Sequence, residues 1–206
     1  MITLHHLNKS RSKRIIWLLE ELGVDYQIKP YQRDSVTFLA PPELKSVHPL
    51  GKSPVIEDDG VVISESGAIT EYLIDKYGQG KFAPVRGTAD YVEYSQWLHF
   101  AESSGILPML LKIFVMKDGC ETNFLGGYAD DENQKILTYV NNALEGKTYL
   151  VADTLTGADF MMSFIVEIVG NFGATALYPN IAKYGKLLAD HPAYQKAEQV
   201  ELEHSN

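Results

Sequence analysis

Apolar positions fix the layout of the chain before any chemistry is considered. The run from Ile2 to Leu7 reads as a strand, and from Arg11 to Leu22 the period changes so that Ile15, Leu18, Leu19 and Leu22 share one helical face. Tyr26 to Tyr31 predicts a second strand, and Pro41-Pro42-Glu43-Leu44 a short helix with proline in the first turn, where its missing N–H is tolerated. Val55-Ile56 and Val61-Val62-Ile63 flank the turn residues Asp58-Asp59-Gly60 as a strand pair, and a helix follows from Glu65 to Tyr77. The order is β-α-β-α-β-β-α. Gly78-Gln79-Gly80 stops the last helix, and residues up to Gly87, with Pro84, have the composition of a linker.

Beyond Thr88 the pattern is helical throughout. Thr88 is placed to cap a long helix carrying Tyr91, Tyr94, Trp97, Leu98 and Ala101, which Gly105 and Pro108 should kink. Gly126-Gly127 reads as a connection, and 132–144 as another helix. Thr156-x-x-Asp159 has capping-box spacing, and the apolar run Phe160 to Val166 behind it predicts a helix buried nearly all round, its methionines in the core. Pro179 and Pro192 each mark the start of a further helix. The expected domains are an α/β unit over 1–79, a linker over 80–87 and an all-α unit over 88–206.

Composition narrows the class of function. With 206 residues, 45% hydrophobic and 22% charged, the chain has ordinary globular composition and length enough for a substantial core. A formal charge of −9 leaves no basic stripe for a phosphate backbone, so a nucleic acid partner is not expected. The first residues lack the basic and apolar regions of a signal peptide, and no apolar run approaches the length of a membrane span, which predicts a cytoplasmic protein with no integral membrane segment. The single cysteine, Cys120, excludes an internal disulfide or a Cys-x-x-Cys centre, and it reads as a small packing residue. No metal site is expected.

Two short segments carry the chemistry. Pro54, after Gly51-Lys52-Ser53 and directly before Val55-Ile56, reads as a tight turn into a strand, a setting in which a cis peptide bond is common. Such a turn would leave the main chain of Val55 at a strand edge, open to pairing with an extended peptide. Ten residues on, Ser64-Glu65-Ser66 opens a helix whose first N–H groups lack internal partners and can hold a carboxylate, while Glu65 can pair with an ammonium. A γ-glutamyl group carries both charges.

These segments resemble the glutathione-binding half of the glutathione S-transferases, and the resemblance spans the chain. Leu4-His5-His6-Leu7-Asn8, Ser10-Arg11-Ser12, Trp17 to Val24, Pro41-Pro42-Glu43-Leu44 and His48 to Pro54 most resemble a fungal and bacterial branch typified by a yeast membrane-associated enzyme. Leu155 to Phe160 is similar to the helix-start signature of the family's second domain. The resemblance implies a thioredoxin-like first domain, an all-helical second domain, a homodimer, and glutathione as co-substrate with a small hydrophobic electrophile. It also implies that Val55 pairs with the cysteinyl residue in the Lys52-Ser53-Pro54-Val55 segment, that Glu65 and Ser66 hold the γ-glutamyl end, and that Lys52 meets the glycyl carboxylate. The electrophile would enter between the domains, near Ser103, Leu107, Leu111 and Phe114.

The implied reaction needs the glutathione thiolate. A thiol with a pKa of about 8.5 is mostly protonated at neutral pH, and lowering that by roughly two units takes about 2.7 kcal/mol of preferential stabilisation of the anion. In the family the stabilising group is a Tyr, Ser or Cys between the first strand and the first helix. This segment has no Tyr or Cys, leaving His6, Asn8, Ser10, Arg11 and Ser12. Ser10, four residues before Arg14, matches a Ser-x-x-x-Arg spacing of serine-type members and ranks first. Arg11 ranks second as a charge beside the sulfur. His6 ranks third, since matching strands places it at the tyrosine position whereas matching helices places His5 there. Ser10 also has a plain alternative role as a helix cap. Besides conjugation or peroxide reduction, the alternatives are a non-catalytic interaction module of the same fold and a glutathione-disulfide reductase working without its own cysteine.

Overall fold

The computed structural model describes residues 1–204 and divides into two compact units, the first containing residues up to Phe82 together with those from Ala189 onward, the second running from Ala83 to Leu188.

In the first unit, β1 (Ile2–Leu7), α1 (Lys13–Leu22), β2 (Tyr26–Tyr31), β3 (Val55–Asp58), β4 (Val61–Ser64) and α2 (Ser66–Tyr77) follow the order read from the sequence. A 3-10 helix, Pro42–Ser46, stands where a short helix was expected. The sheet runs β2-β1-β3-β4, with β1 parallel to β2 and antiparallel to β3, and β3 antiparallel to β4. Burial of β1 follows from its place inside the sheet.

α1 starts two residues later than predicted, and every residue from Arg14 to Leu19 is buried rather than one face alone. The reason is a second partner. The last helix, α8 below, returns to this unit and packs on α1 opposite the apolar stripe that the pattern reveals, with Trp17 edge-on to Tyr194 at 5.1 Å between ring centroids. The sequence pattern alone places residues after 188 with the helical domain, because nothing local in α8 marks its partner.

The second unit holds α3 (Ala89–Glu102), α4 (Ile106–Asp118), α5 (Leu125–Ala143), α6 (Gly157–Asn171) and α7 (Pro179–Ala189), and α8 (Pro192–Glu203) closes the chain in the first unit. Thr88 caps α3 by accepting from the Tyr91 N–H at 3.2 Å. The long helix breaks outright at Ser103 to Gly105. A Cβ on Gly105 would lie 2.6 Å from Ile165 Cδ1, so only glycine allows this close approach of α6. Pro108 does not kink anything, because it falls in the first turn of α4, where it loses no helical bond.

α5 begins well before the predicted 132, with Gly126 and Gly127 inside its first turn. Thr122 makes this possible, its hydroxyl accepting from the Gly126 N–H at 2.7 Å. The segment Ala89–Asp118 contains an 18-residue window of mean hydropathy 1.3, the one stretch among the described residues long and apolar enough by composition to cross a membrane, which the sequence reading had not recognised.

α6 is buried from Gly157 to Ser163, both methionines included. Asp159 organises its start: Oδ2 accepts from the Thr156 N–H at 2.7 Å and the Thr156 hydroxyl at 3.0 Å, while Oδ1 accepts from the Leu150 N–H at 3.1 Å and the Tyr184 hydroxyl at 2.6 Å. Burial pushes this carboxyl above its usual range, against the pull of Tyr184, Thr156 and Leu150 toward the anion. Cys120 is exposed rather than packed, and its thiol donates to Asp118 at 2.8 Å. It lies just past the end of α4, where no core surrounds it.

Candidate functional site

Strand register gathers the predicted segments at one end of the sheet. His5 stands opposite Val55, and Val55 stands opposite Ser64, the residue before Glu65. The C-terminal end of β1, the turn into β3 and the start of α2 are therefore neighbours.

The Ser53–Pro54 bond is cis, as expected for this turn. The expected strand edge is absent, however: β3 is interior, and Val55, buried, has a register partner on each side. An incoming peptide must meet the main chain at the end of the ladder. The Ser53 side chain is already committed, since its hydroxyl donates to the His5 carbonyl at 2.8 Å and accepts from the Leu7 N–H at 3.1 Å. It continues the β1–β3 ladder past a proline that has no N–H to give. Lys52 beside it is exposed.

Glu65 is an exposed residue with φ 68° and ψ 116°, a backbone conformation that costs a non-glycine residue on the order of 1–3 kcal/mol and persists only where its surroundings impose it. Its carbonyl accepts the first helical bond, from the Ile69 N–H at 2.9 Å. The earlier N–H groups of α2 therefore have no helical partner, which makes this end receptive to a carboxylate. Arg14 strengthens it. This buried guanidinium on α1 donates from Nη2 to Ser66 Oγ at 2.6 Å, setting the first residue of α2 and adding positive charge behind it. In the sequence Arg14 had served only as a spacing mark for Ser10; an arginine flanked by core positions was the signal for its role.

The segment between β1 and α1 forms a buried chain of polar groups. Ser10 is 5% exposed, and Ser12 and His6 are both 0% exposed. Ser10 Oγ lies 2.9 Å from Ser12 Oγ and accepts from the Ser12 N–H at 3.2 Å. Ser12 Oγ lies 2.6 Å from His6 Nδ1, and His6 Nε2 lies 3.1 Å from Glu201 Oε2 on α8. Ser10 is not the residue flanking the helix start; Ser12 is. His5, the other histidine considered, spans the sheet, with Nδ1 2.9 Å from the Tyr31 hydroxyl and Nε2 2.7 Å from Glu57 Oε1. Arg11 is half-buried and close enough to Arg33 that, after burial, it contributes to lowering the pKa of that guanidinium. Glu201 escaped the sequence reading because its partners lie 192 and 195 positions away.

Burial alone would raise the Glu201 carboxyl, but His6, the Lys9 N–H at 2.7 Å and Lys13 outweigh it and hold the group below the usual carboxylate range. Asp58 is governed the same way on the other side of the unit. Its buried carboxylate would be pushed up, yet Lys76 at 2.8 Å, the Tyr77 hydroxyl at 2.7 Å and the Tyr72 hydroxyl at 3.0 Å bring it down. The Cys120 thiol is pushed up by Asp118, which removes thiolate character.

In the second unit Leu107 and Phe114 are 53% and 58% exposed on one face of α4, with Leu111 half-buried between them and Ser103 exposed at the break. A separate concavity of about 640 Å³ is lined by Val92, Glu93, Gln96, Trp97, Phe100 and Tyr139. Among the described residues no cluster of His, Cys, Asp and Glu could hold a metal ion.

Residues 1–75 match the glutathione S-transferase N-terminal domain, and residues 126–192 match the glutathione S-transferase C-terminal domain. The chain is 36% identical to glutathione S-transferase 3 of Schizosaccharomyces pombe, over 98% of this chain and 88% of that protein. A glutathione S-transferase structure from Actinobacillus pleuropneumoniae superposes with a TM-score of 0.89 at 39% identity, covering 100% of this chain and 94% of that one. A glutathione transferase homologue from Lodderomyces elongisporus, solved with two glutathione molecules per subunit, superposes with a TM-score of 0.83 at 26% identity, covering 97% and 98%. The chain belongs to the glutathione S-transferase family and is an enzyme of that family.

Proposed function

We propose that the first unit binds glutathione across the sheet end where His5, Val55 and Ser64 stand in register, and that Ser10 activates its thiol for attack on small hydrophobic electrophiles. The register is the observation that supports this reading, because it brings the Ser53-Pro54-Val55 turn, the start of α2 and the end of β1, from which the serine-bearing loop leaves, side by side. In this reading Glu65 takes the γ-glutamyl ammonium, and the α2 start, braced by Arg14, takes its carboxylate. The main chain at Ser53, Pro54 and Val55 meets the cysteinyl residue. Lys52 is exposed and near enough in sequence to meet the glycyl carboxylate.

The thiol then lies by Ser10, with Arg11 as a supporting charge. A charge-assisted hydrogen bond from a serine hydroxyl, in a partly dry site, is of the size needed to lower the thiol pKa by one to two units. The Lodderomyces relative, solved with glutathione, supports the co-substrate. The exposed face of α4 with Leu107, Leu111 and Phe114 is a surface of the chemistry an aromatic electrophile needs. Glutathione peroxidase activity would use the same thiolate.

Retention on immobilised glutathione, followed by assays with a generic aromatic halide and with cumene hydroperoxide, tests the reading. Retention with turnover of either electrophile is expected. A folded protein that neither binds glutathione nor turns over either compound overturns it.

A further inference from the structure

The four groups Glu201, His6, Ser12 and Ser10 form one series from α8 to the loop after β1, and the number of protons it holds sets which way each bond points. Ser12 is the pivot. Its hydroxyl has one proton and three neighbours, His6 Nδ1 at 2.6 Å, Ser10 Oγ at 2.9 Å and the Leu7 carbonyl at 3.4 Å, the last too long to compete well. If His6 is neutral with its proton on Nε2 toward Glu201, then Nδ1 accepts, Ser12 donates to it, and Ser10 donates to Ser12. Ser10 then offers only lone pairs outward, which suit an S–H donor rather than a thiolate. If His6 carries both protons, every bond reverses: Nδ1–H donates to Ser12, Ser12 to Ser10, and Ser10 is left with its own proton to give to a sulfur anion.

The second state holds one proton more than the first, and that is the proton a thiol gives up when it becomes a thiolate. We propose that His6 is the base that takes the proton of bound glutathione through Ser10 and Ser12, with Glu201 of α8 stabilising the imidazolium that results. The S–H bond breaks and its proton passes to Ser10 Oγ, the Ser10 proton passes to Ser12 Oγ, and the Ser12 proton passes to His6 Nδ1. Three O–H or N–H bonds form as one S–H and two O–H bonds break, so the products are a thiolate facing a Ser10 donor and an imidazolium facing a carboxylate. No group outside the series is consumed. His6 and Ser12 thus act through Ser10, and Glu201 is a positioning residue. This inference rests on the reading of Ser10 as the thiol's neighbour.

His6 and Ser12 are 0% exposed, so the imidazolium must find its counter-charge within the protein, and Glu201 Oε2 is 3.1 Å away. That contact lies outside hydrogen-bond geometry, as is common where a catalytic bond tightens only with ligand present. The other charged groups bearing on Glu201 are Lys13 of α1, which also pairs with Glu198 of α8, and Arg33, itself beside Arg11. On the neighbouring strands, Tyr31 and Glu57 are engaged by His5 and do not serve His6.

The test compares Ser12→Ala and Glu201→Gln with wild type across pH, using glutathione and a generic aromatic halide. Glu201→Gln keeps an oxygen for the Lys9 N–H and removes only the charge. Both variants should lose roughly tenfold to a hundredfold in turnover near neutral pH, the scale of a positioned base. They should converge on wild type at alkaline pH, where hydroxide removes the proton unaided, with KM for glutathione within about twofold throughout. Nitrogen NMR of ring-labelled histidine should show His6 protonated at both nitrogens when glutathione is bound to wild type at neutral pH. Folded variants with the wild-type pH profile, or a His6 ring that stays singly protonated with glutathione bound, overturn the relay. Ser10→Ala separates the two readings: if it lowers neutral turnover while Ser12→Ala does not, only the relay fails, and if it changes nothing, the assignment of Ser10 fails and the relay with it.

Discussion

Arg14 Nη2 donates to Ser66 Oγ at 2.6 Å, joining the first helix of the sheet domain to the residue that opens α2. Both side chains are buried, so the bond fixes how the helix start faces a ligand and does not merely decorate the surface. Lysine cannot reproduce it, because the ammonium lacks the planar fork of donors. Arg14→Lys should weaken glutathione binding by about 1–3 kcal/mol, the scale of a charged hydrogen bond, in isothermal calorimetry. Unchanged affinity in the folded variant would remove Arg14 from the site.

Asp58 should make the first unit sensitive to acid. Its folded pKa lies below the unfolded one, so the stabilisation from its ionised form is complete above about pH 4 and is lost as pH falls through the lower folded value. Asp58→Asn should cost about 1–3 kcal/mol at neutral pH in urea unfolding, with the gap to wild type closing as pH drops below about 4. A gap that persists into acid would mean that packing, and not the charge, is what the aspartate supplies.

Asp159 is expected to matter for stability alone. Removing its carboxylate strands the N–H groups of Thr156 and Leu150 and the Tyr184 hydroxyl in the core, so Asp159→Ala should cost about 3 kcal/mol or more. Thermal melting checks the loss, and calorimetry on the folded fraction should return the wild-type glutathione affinity. Equal melting temperatures would show that the carboxylate does not hold the start of α6.

Homodimerisation is a further expectation, with the two-fold symmetry common among oligomers. Light scattering at micromolar concentration should give twice the chain mass of 23.0 kDa, and a value equal to one chain would reject it.

Local signals made most of this legible. The strand order, the proline starts of α7 and α8, the Thr88 cap and the Thr156-Asp159 pair are all set within a few residues, and each is found where the sequence put it. Most of what was missed depends on contacts made across long separations. The return of α8 onto α1 cannot be seen in either helix alone, and with it went the burial of Trp17 and the pairing of Glu201 with His6. The interior position of β3 is likewise a matter of sheet order, which the Ser53-Pro54-Val55 motif does not encode. The early start of α5 turned on one hydroxyl, Thr122, outweighing two glycines.

The most direct test of the account is the pKa of the glutathione thiol when bound, read from thiolate absorbance across pH in wild type and Ser10→Ala. The wild-type complex should titrate roughly one to two units below the free thiol value of about 8.5, and Ser10→Ala should return it toward that value while turnover at neutral pH falls about tenfold to a thousandfold. Affinity for glutathione should change far less, since the γ-glutamyl and main-chain contacts remain. A bound thiol in wild type that titrates like free glutathione, or a Ser10→Ala complex that keeps the lowered pKa while Arg11→Ala raises it, would contradict the assignment of the activating role to Ser10.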